Sequence, residues 1–169
     1  KITNGVLSMA RNRSPGLEPT DLQPIIEDVL LLLERELQKY RVQVELKLAP
    51  TPPAQANGNQ IQQVLLNLVI NARQAMPEGG KLTIGLRPDA DGNFVELSVT
   101  DNGIGISEEG KNRIFHMFQR LNPSSEFEGT GIGLTIVRKA VVRMGGRVGV
   151  DSELGSGSRF WIELKRAEE

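Results

Sequence analysis

Glycine is distributed unevenly along this chain of 169 residues, and its spacing restricts what the chain can fold into. Eleven of the 18 glycines lie between Gly103 and Gly157, several of them as Gly-x-Gly pairs. Glycine is most often a turn residue, because it lacks a Cβ and readily adopts positive φ. It also lets the backbone come close to a phosphate-bearing ligand. The residues that flank each Gly-x-Gly pair distinguish a turn from a ligand-binding loop.

Cysteine and histidine are scarce, which excludes several kinds of chemistry. The chain has no Cys and one His, so it has no disulfide scaffold, Cys-ligated zinc, iron–sulfur cluster, catalytic thiol or multi-His metal site. A net charge of −1 gives no bulk attraction for nucleic acid. No apolar run reaches the ~18 residues of a membrane-spanning helix. We therefore expect a soluble protein, with a length near the ~150 residues of one domain and no nucleic-acid partner.

Hydrophobic periodicity predicts an α+β fold. The predicted helices cover about residues 22–40, 59–76, 108–120 and 133–144, with Asn59 as the cap of the second. The predicted strands cover residues 42–48, 81–87, 94–100, 147–152 and 158–164, and residues 1–20 are expected to hold a short helical piece and a break. This order favours a two-layer sandwich, with about three helices on one face of a mixed, mostly antiparallel sheet.

The second predicted helix carries an unusual polar stripe. Gln63, Asn67, Asn71 and Gln74 recur at spacings of four, four and three, which places them on one side of the helix. A solvated face is the ordinary interpretation of such a stripe. However, Asn is a poor helix former, and solvated helix faces favour Glu and Lys. Uncharged amide oxygens suit a site where a hard cation such as Mg²⁺ meets phosphates.

Two glycine-rich segments follow the stripe. Asp101 comes directly after a strand and is followed by Gly103 and Gly105, an arrangement that suits either a turn or a flat ligand lying against the backbone. Residues 129–134, Gly-Thr-Gly-Ile-Gly-Leu, open a predicted helix whose first N–H groups form an anion site. No Gly-Lys-Ser/Thr follows, so the segment is not a Walker loop, and it lacks the βαβ context of a Rossmann fold.

Together and in this order, the motifs resemble those of sensor histidine kinases. Residues 67–72 resemble the N box, residues 101–105 the first glycine box, residues 114–118 the F box and residues 129–134 the second glycine box. The resemblance covers about residues 21–166. It implies the Bergerat ATP-binding fold, shared with gyrase, Hsp90 and MutL, and the cofactors ATP and Mg²⁺.

The resemblance also implies roles for individual residues near the purine and the metal. Asn71 would bind Mg²⁺, and Asn67 would line the same site as a catalytic residue. Asp101 would accept a hydrogen bond from the adenine amino group, while Gly103 and Gly105 would let the purine approach.

Further roles are implied around the phosphates. Arg120 would reach the γ-phosphate as a catalytic residue, and residues 117–130 would form a mobile ATP lid. Ser158 would support a water network at the adenine. The nucleotide-binding residues of the second glycine box would be Thr130, Gly131, Gly133 and Leu134.

Two positions distinguish the alternatives within this superfamily. Many histidine kinases have Lys where this chain has Gln74, which keeps open a nucleotide-binding pseudokinase that performs no transfer. The gyrase, Hsp90 and MutL ATPases usually carry a general-base Glu where this chain has Asn67. Without that carboxylate, hydrolysis should be slow, which favours a kinase over an ATP-hydrolysing clamp.

The expected partners follow from the same resemblance. The chain would transfer the γ-phosphoryl group to a histidine on a dimerisation domain of the same protein, and a response regulator would act downstream. His116 lies within the F box and is not followed by an acidic residue, so it is not the expected acceptor. Residues 1–20 would be the end of the dimerisation helix and a linker, and residues 21–169 the catalytic domain. We expect this domain to be monomeric, its full-length parent to be a homodimer, and its location to be cytoplasmic, either free or as part of a membrane-anchored sensor.

Overall fold

The computed structural model describes residues 16–111, 114 and 132–168. The strands in this part of the chain are β1 (Glu18–Thr20), β2 (Val42–Leu48), β3 (Ala54–Ala56), β4 (Gly80–Pro88), β5 (Phe94–Asp101), β6 (Arg147–Glu153) and β7 (Gly157–Lys165). The helices are α1 (Leu22–Leu32), α2 (Glu34–Lys39), α3 (Gly58–Gln74), α4 (Glu108–Lys111) and α5 (Ile132–Arg143).

Five strands form the main sheet, in the order β2-β4-β5-β7-β6. β2 runs parallel to β4, and the other neighbouring pairs are antiparallel. Because side chains alternate along a strand, each strand presents one face to the helices and one face away from them. The predicted mixed, mostly antiparallel sheet is therefore confirmed, and its five strands lie within one or two residues of the predicted bounds.

The core fills the space between this sheet and α1, α3 and α5. α3 packs against both other helices and against β5. Its buried residues form one apolar side, which contacts the alternate buried residues of the central strands. The fully buried large side chains are Leu22, Ile26, Ile61, Leu65, Leu68, Leu82, Ile84, Leu86, Leu97, Met144, Phe160 and Ile162. No helix within the described ranges is long and apolar enough to cross a membrane.

The first predicted helix is divided in two. Leu33 adopts φ −99° and ψ 7° and separates α1 from α2. The hydrogen bonds from Leu33 N to Val29 O (3.0 Å) and from Leu37 N to Leu33 O (2.9 Å) continue across this point. Periodicity did not reveal the break, because the spacing of the apolar residues hardly changes at a single turn residue.

The predicted cap of α3 was wrong by two residues. The helix begins at Gly58, and the side chain of Asn57, in an extended conformation, accepts hydrogen bonds from the backbone N–H groups of Asn59 and Gln60 at 3.0 and 3.1 Å. Asn57 therefore satisfies two of the free N–H groups of the first turn. Both asparagines are good cap residues, so the sequence alone did not distinguish them.

Two short strands were not predicted. β1 and β3 form an antiparallel pair in which Glu18 lies opposite Ala56, and the Thr20 hydroxyl donates to Ala56 O at 3.0 Å. Three residues are too few to show alternation in a sequence. This pairing brings residues 18–20, expected in the linker, into the folded unit. The assignment of residues 1–15 lies outside the described residues and stays a prediction.

The edge strand β2 also differs from expectation. The alternation in residues 42–48 predicts one buried face, and Val42 is indeed buried. However, Val44 and Leu46 are 40% and 44% exposed. Because β2 lies at the edge of the sheet, the helices do not fully cover its apolar side.

Candidate functional site

The amide stripe of α3 lies beside the core. Asn67, Asn71 and Gln74 are partly buried, whereas Gln63 is exposed. Within the described part of the chain, the Asn71 side chain has no hydrogen-bond partner. Its amide oxygen is therefore free to bind a cation or a polar ligand, as the predicted role requires.

The end of β5 comes close to the end of α3. The backbone N–H of Ile104 donates to Ala75 O at 3.2 Å. Ala75 follows Asn71 by one helical turn, and Ile104 follows Asp101 by three residues. The structure therefore joins the loop after Asp101 to the C-terminal end of the helix that carries Asn71, and a shared nucleotide site for these two residues stays a prediction.

The loop after Asp101 is held on two sides by backbone. A Cβ on Gly103 would overlap Ala75 O, and one on Gly105, where φ is +77°, would overlap Glu153 O. On the β6–β7 side, the N–H of Gly155 donates to Ile104 O at 2.8 Å. These glycines therefore have a packing requirement of their own, and their contact with a purine stays a prediction.

Asp101 is a carboxyl group in an unusual environment. It is 3% exposed, and burial raises its pKa above the ordinary value. The backbone N–H groups of Gly103 and Ser158 donate to the carboxylate and partly oppose this rise; the Gly103 bond is 2.9 Å long. A buried carboxyl group without a cationic partner is costly, which is typical of a group kept for binding.

The start of α5 lies in the described part of the second glycine box. Ile132 is the first helical residue, Gly133 is in the first turn, and Leu134 is 9% exposed. The N-terminal N–H groups of a 12-residue helix attract anions. The remaining predictions of this region lie outside the described residues, namely Arg120, Thr130, Gly131, His116 and the lid at residues 117–130.

The metal ligand predicted from the sequence, Asn71, is an amide and not a carboxylate. The described ranges contain no group of three or more His, Asp or Glu residues that could hold a metal ion. Mg²⁺ commonly keeps several waters and binds one or two protein oxygens together with substrate phosphates. The unpartnered amide of Asn71 fits this manner of binding.

Comparison with known proteins identifies the family of this fold. Residues 56–168, which hold α3, Asp101 and α5, match the sequence profile described as histidine kinase-, DNA gyrase B-, and HSP90-like ATPase. The chain belongs to this ATPase family. The expected family is therefore confirmed.

Curated members of the family that resemble this chain include sensor kinases. Sensor histidine kinase AruS of Pseudomonas aeruginosa is 37% identical over 177 residues, covering 98% of this chain and 18% of AruS. Sporulation kinase D of Bacillus subtilis is 34% identical over 166 residues, covering 97% of this chain and 32% of that kinase. The chain thus spans about a fifth to a third of these relatives.

Solved structures show the same family fold. The catalytic domain of histidine kinase ThkA superposes with a TM-score of 0.78 at 29% identity, covering 90% of this chain and 99% of that domain. Full-length ShkA in complex with AMPPNP gives 0.77 at 31% identity, covering 98% of this chain and 36% of ShkA. The predicted Bergerat fold is confirmed by these similarities.

Arg73 does not supply a cation on the Gln74 side of α3. Its guanidinium lies 4.2 Å from the centre of the Tyr40 ring, and its Nε is 3.7 Å from Glu36 Oε2. Both contacts hold Arg73 toward α2. The sequence indicated this direction, because Arg73 lies about 100° around the helix from Gln74.

Ser152 is a residue of this family site that the sequence analysis did not single out. Its hydroxyl accepts from Ile106 N at 2.7 Å, lies 2.8 Å from the Ser158 hydroxyl, and donates to Gly157 O at 2.9 Å. A hydroxyl has one donor and two acceptor positions, so the Ser158 hydroxyl is the donor to Ser152. Ser158, predicted near the adenine, therefore contributes its backbone N–H to Asp101 and its hydroxyl to Ser152.

We expect Ser152→Ala to destabilise the domain by about 1–3 kcal/mol, because it leaves Ile106 N–H and Gly157 C=O without this partner. Urea unfolding should show the loss. Ser156→Ala, in the exposed β6–β7 turn, is the matched control and should change the free energy of unfolding by less than about 0.5 kcal/mol. Equal effects of the two variants would contradict a role for Ser152 in holding the loop.

Proposed function

We propose that this chain is the catalytic domain of a sensor histidine kinase, which binds ATP with Mg²⁺ and transfers the γ-phosphoryl group to a histidine of a dimerisation domain. The observation that carries this proposal is the hydrogen bond from Ile104 N to Ala75 O, which joins the loop after Asp101 to the end of the helix that carries Asn71. The proposal assigns the amide oxygen on this helix to the metal and the buried carboxylate at the end of β5 to the adenine.

Each residue supplies one part of this activity. Asp101 accepts a hydrogen bond from the adenine amino group, and Asn71 offers its amide oxygen to Mg²⁺, with Asn67 one turn earlier. The first N–H groups of α5 bind phosphate oxygens, and the resemblance assigns Thr130, Gly131, Gly133 and Leu134 to the same nucleotide. Arg120 would offset negative charge on the γ-phosphate during transfer, and Mg²⁺ held by Asn71 would supply further charge neutralisation.

Asn67 makes the proposed activity a transfer rather than rapid hydrolysis. An amide cannot accept a proton from water as a carboxylate does. ATP bound here would persist until another nucleophile arrives. We infer that this nucleophile is a histidine of a dimerisation domain in the same protein. The parent protein would be a homodimer whose catalytic part is cytoplasmic. A response regulator would then receive the phosphoryl group from the histidine. Among solved relatives, ThkA has been captured with the response regulator TrrA.

Gln74 favours one competing function, a domain that binds the nucleotide without transferring phosphate. The structure gives this alternative some weight, because Arg73 is held toward Tyr40 and Glu36 and does not supply the missing charge. In that case, nucleotide binding would act through conformation alone.

The experiment mixes the purified chain with a separately purified, histidine-bearing dimerisation domain and γ-labelled ATP·Mg²⁺. We expect label on the acceptor as acid-labile phosphohistidine, and slow phosphate release from the chain alone. Tight ATP binding without label would favour the pseudokinase. Rapid phosphate release without the acceptor would favour the hydrolysing clamp and contradict the role given to Asn67.

A further inference from the structure

A second polar groove lies on the face of the main sheet that points away from the helices. It has a volume of about 310 Å³ and is formed mainly by side chains of β2, β4, β5 and β7. Thr100 lines this groove, while Asp101 is the next residue along β5. Because consecutive side chains of a strand point to opposite faces, the groove and the nucleotide site lie on opposite sides of the sheet.

Gly85 creates the depth of the groove. It lies opposite Ser98 in the β4–β5 register, and a Cβ at this position would come within 2.7 Å of Ser98 Oγ. Ser98 is 8% exposed, and its hydroxyl lines the groove without a hydrogen-bond partner in the described ranges. Among the described residues, Arg73 Nε is the one enclosed side-chain polar atom without a partner, so the Ser98 oxygen is not sealed from solvent and stays within reach of a ligand in the groove.

The charges around the groove are predominantly positive. Lys47, Arg87 and Arg159 line it with a single carboxylate, that of Glu96. Glu96 pairs with both arginines, at 2.9 Å for Arg87 Nε. Arg159 also contacts Asp151 outside the groove, at 3.2 Å. The Lys47 ammonium forms no ion pair within the salt-bridge distance among the residues described, although it interacts electrostatically with Glu45, which does not line the groove. The residues that line the groove therefore keep excess positive charge on a chain whose net charge is −1.

Hydrogen-bond donors also outnumber acceptors in this groove. Besides the three cations, it presents the hydroxyls of Thr83, Ser98 and Thr100. A ligand that satisfies them must bring several acceptor oxygens and a negative charge. A phosphoryl group has three terminal oxygens and accepts charge-assisted hydrogen bonds from both guanidinium and ammonium groups. A carboxylate has only two oxygens to offer.

We propose that this groove binds the phosphoryl group of a small molecule, either free phosphate or a small phosphate ester. Its volume lies at the lower end of the range for small-molecule pockets. This site is separate from the nucleotide site and does not depend on the kinase activity proposed above. Ligand binding here would occur on the opposite side of the strand that carries Asp101.

The chain contains its own reporter for this groove. Trp161 is the one tryptophan of the sequence, and it lies directly opposite Ser98 in the β5–β7 register. Its fluorescence should change as the groove is occupied. We would titrate the whole chain, without ATP, with inorganic phosphate and with glycerol 3-phosphate, at constant ionic strength maintained with chloride. We expect saturable binding with a Kd on the order of 1 mM or tighter.

Three variants locate the binding. Lys47→Gln should weaken it about tenfold by removing a cation that lines the groove, and Ser98→Ala about fivefold by removing a hydroxyl donor. Lys81→Gln is the matched control, because Lys81 is on β4 but does not line the groove; it should change the Kd by less than about twofold. Lys47 is exposed on the edge strand, so its replacement leaves the core intact, which circular dichroism would verify.

The outcomes are distinguishable. Tighter binding of glycerol 3-phosphate than of phosphate would identify an ester as the ligand, and the reverse would identify free phosphate. Equal binding of malonate would overturn the assignment to a phosphoryl group. The absence of a saturable change, or the same Kd for Lys47→Gln and the parent, would overturn the site itself. None of these results depends on ATP binding, so the proposed function would be unaffected.

Discussion

Replacing Asn71 with alanine should remove the dependence of nucleotide binding on Mg²⁺. Isothermal titration of the parent with ADP should show tighter binding with Mg²⁺ than with EDTA. In Asn71→Ala we expect at least about a tenfold loss of affinity with Mg²⁺, and little change with EDTA. The reason is that the Asn71 amide oxygen is the protein oxygen proposed to bind the metal.

The fold should tolerate this change. Alanine is the best helix former and asparagine a poor one, and the Asn71 side chain has no hydrogen-bond partner in the described ranges that would be lost. The free energy of unfolding should therefore stay equal or rise by about 0.5 kcal/mol. Asn59→Ala, exposed in the first turn of the same helix, is the matched control and should leave nucleotide binding unchanged. If Asn71→Ala kept the full increase in ADP affinity that Mg²⁺ gives the parent, Asn71 would be excluded as a ligand of the metal.

The sequence predicted those parts of the molecule that depend on local spacing. The amide stripe needs only the helical period, so Asn67, Asn71 and Gln74 were found on one side of α3 from the sequence alone. The strand that ends at Asp101 was recognised by alternation followed by Gly-x-Gly. The confirmed family then followed from the order of these motifs, since each was weak alone.

The parts that could not be predicted depend on contacts between distant residues. Ser152 is one serine among several in the sequence, and it stands out only because Ile106, Gly157 and Ser158 surround its hydroxyl in the fold. β1 and β3 stabilise each other across more than thirty residues of chain, beyond the reach of any local pattern. The groove of Lys47, Ser98 and Arg159 combines three strands that are far apart in the sequence and meet only through the strand order of the sheet.

Replacing Asp101 with asparagine should strongly weaken adenine-nucleotide binding. Asparagine has nearly the shape of aspartate, but it is neutral and has a single acceptor oxygen, which the backbone N–H groups of Gly103 and Ser158 also require. A hydrogen bond to a charged group is typically worth 1.5–3 kcal/mol, so we expect the ADP affinity to fall at least about tenfold. Asp91→Asn, in the exposed β4–β5 turn, is the matched control. Unchanged ADP binding by Asp101→Asn would refute the proposed adenine contact.

The same variant should also reveal the cost of burying the Asp101 carboxyl group. This cost appears in how the difference in free energy of unfolding between the variant and the parent changes with pH. Burial raises the pKa of Asp101 in the folded state above the ordinary value of 3.8, so the unfolded chain loses this proton first as the pH rises. Above pH 3.8 the folded state binds more protons than the unfolded state, and the contribution of Asp101 to stability falls with pH until its folded pKa is passed. Asparagine does not titrate, and any hydrogen bond it loses is lost equally at every pH.

Urea unfolding from pH 4 to 8 should therefore show Asp101→Asn gaining stability relative to the parent as the pH rises, while Asp91→Asn shows no such gain. If this stability difference did not change with pH, or changed in the opposite direction, the fold would not disfavour the charged form of Asp101. The burial of this carboxyl group would then be no argument for a role in nucleotide binding.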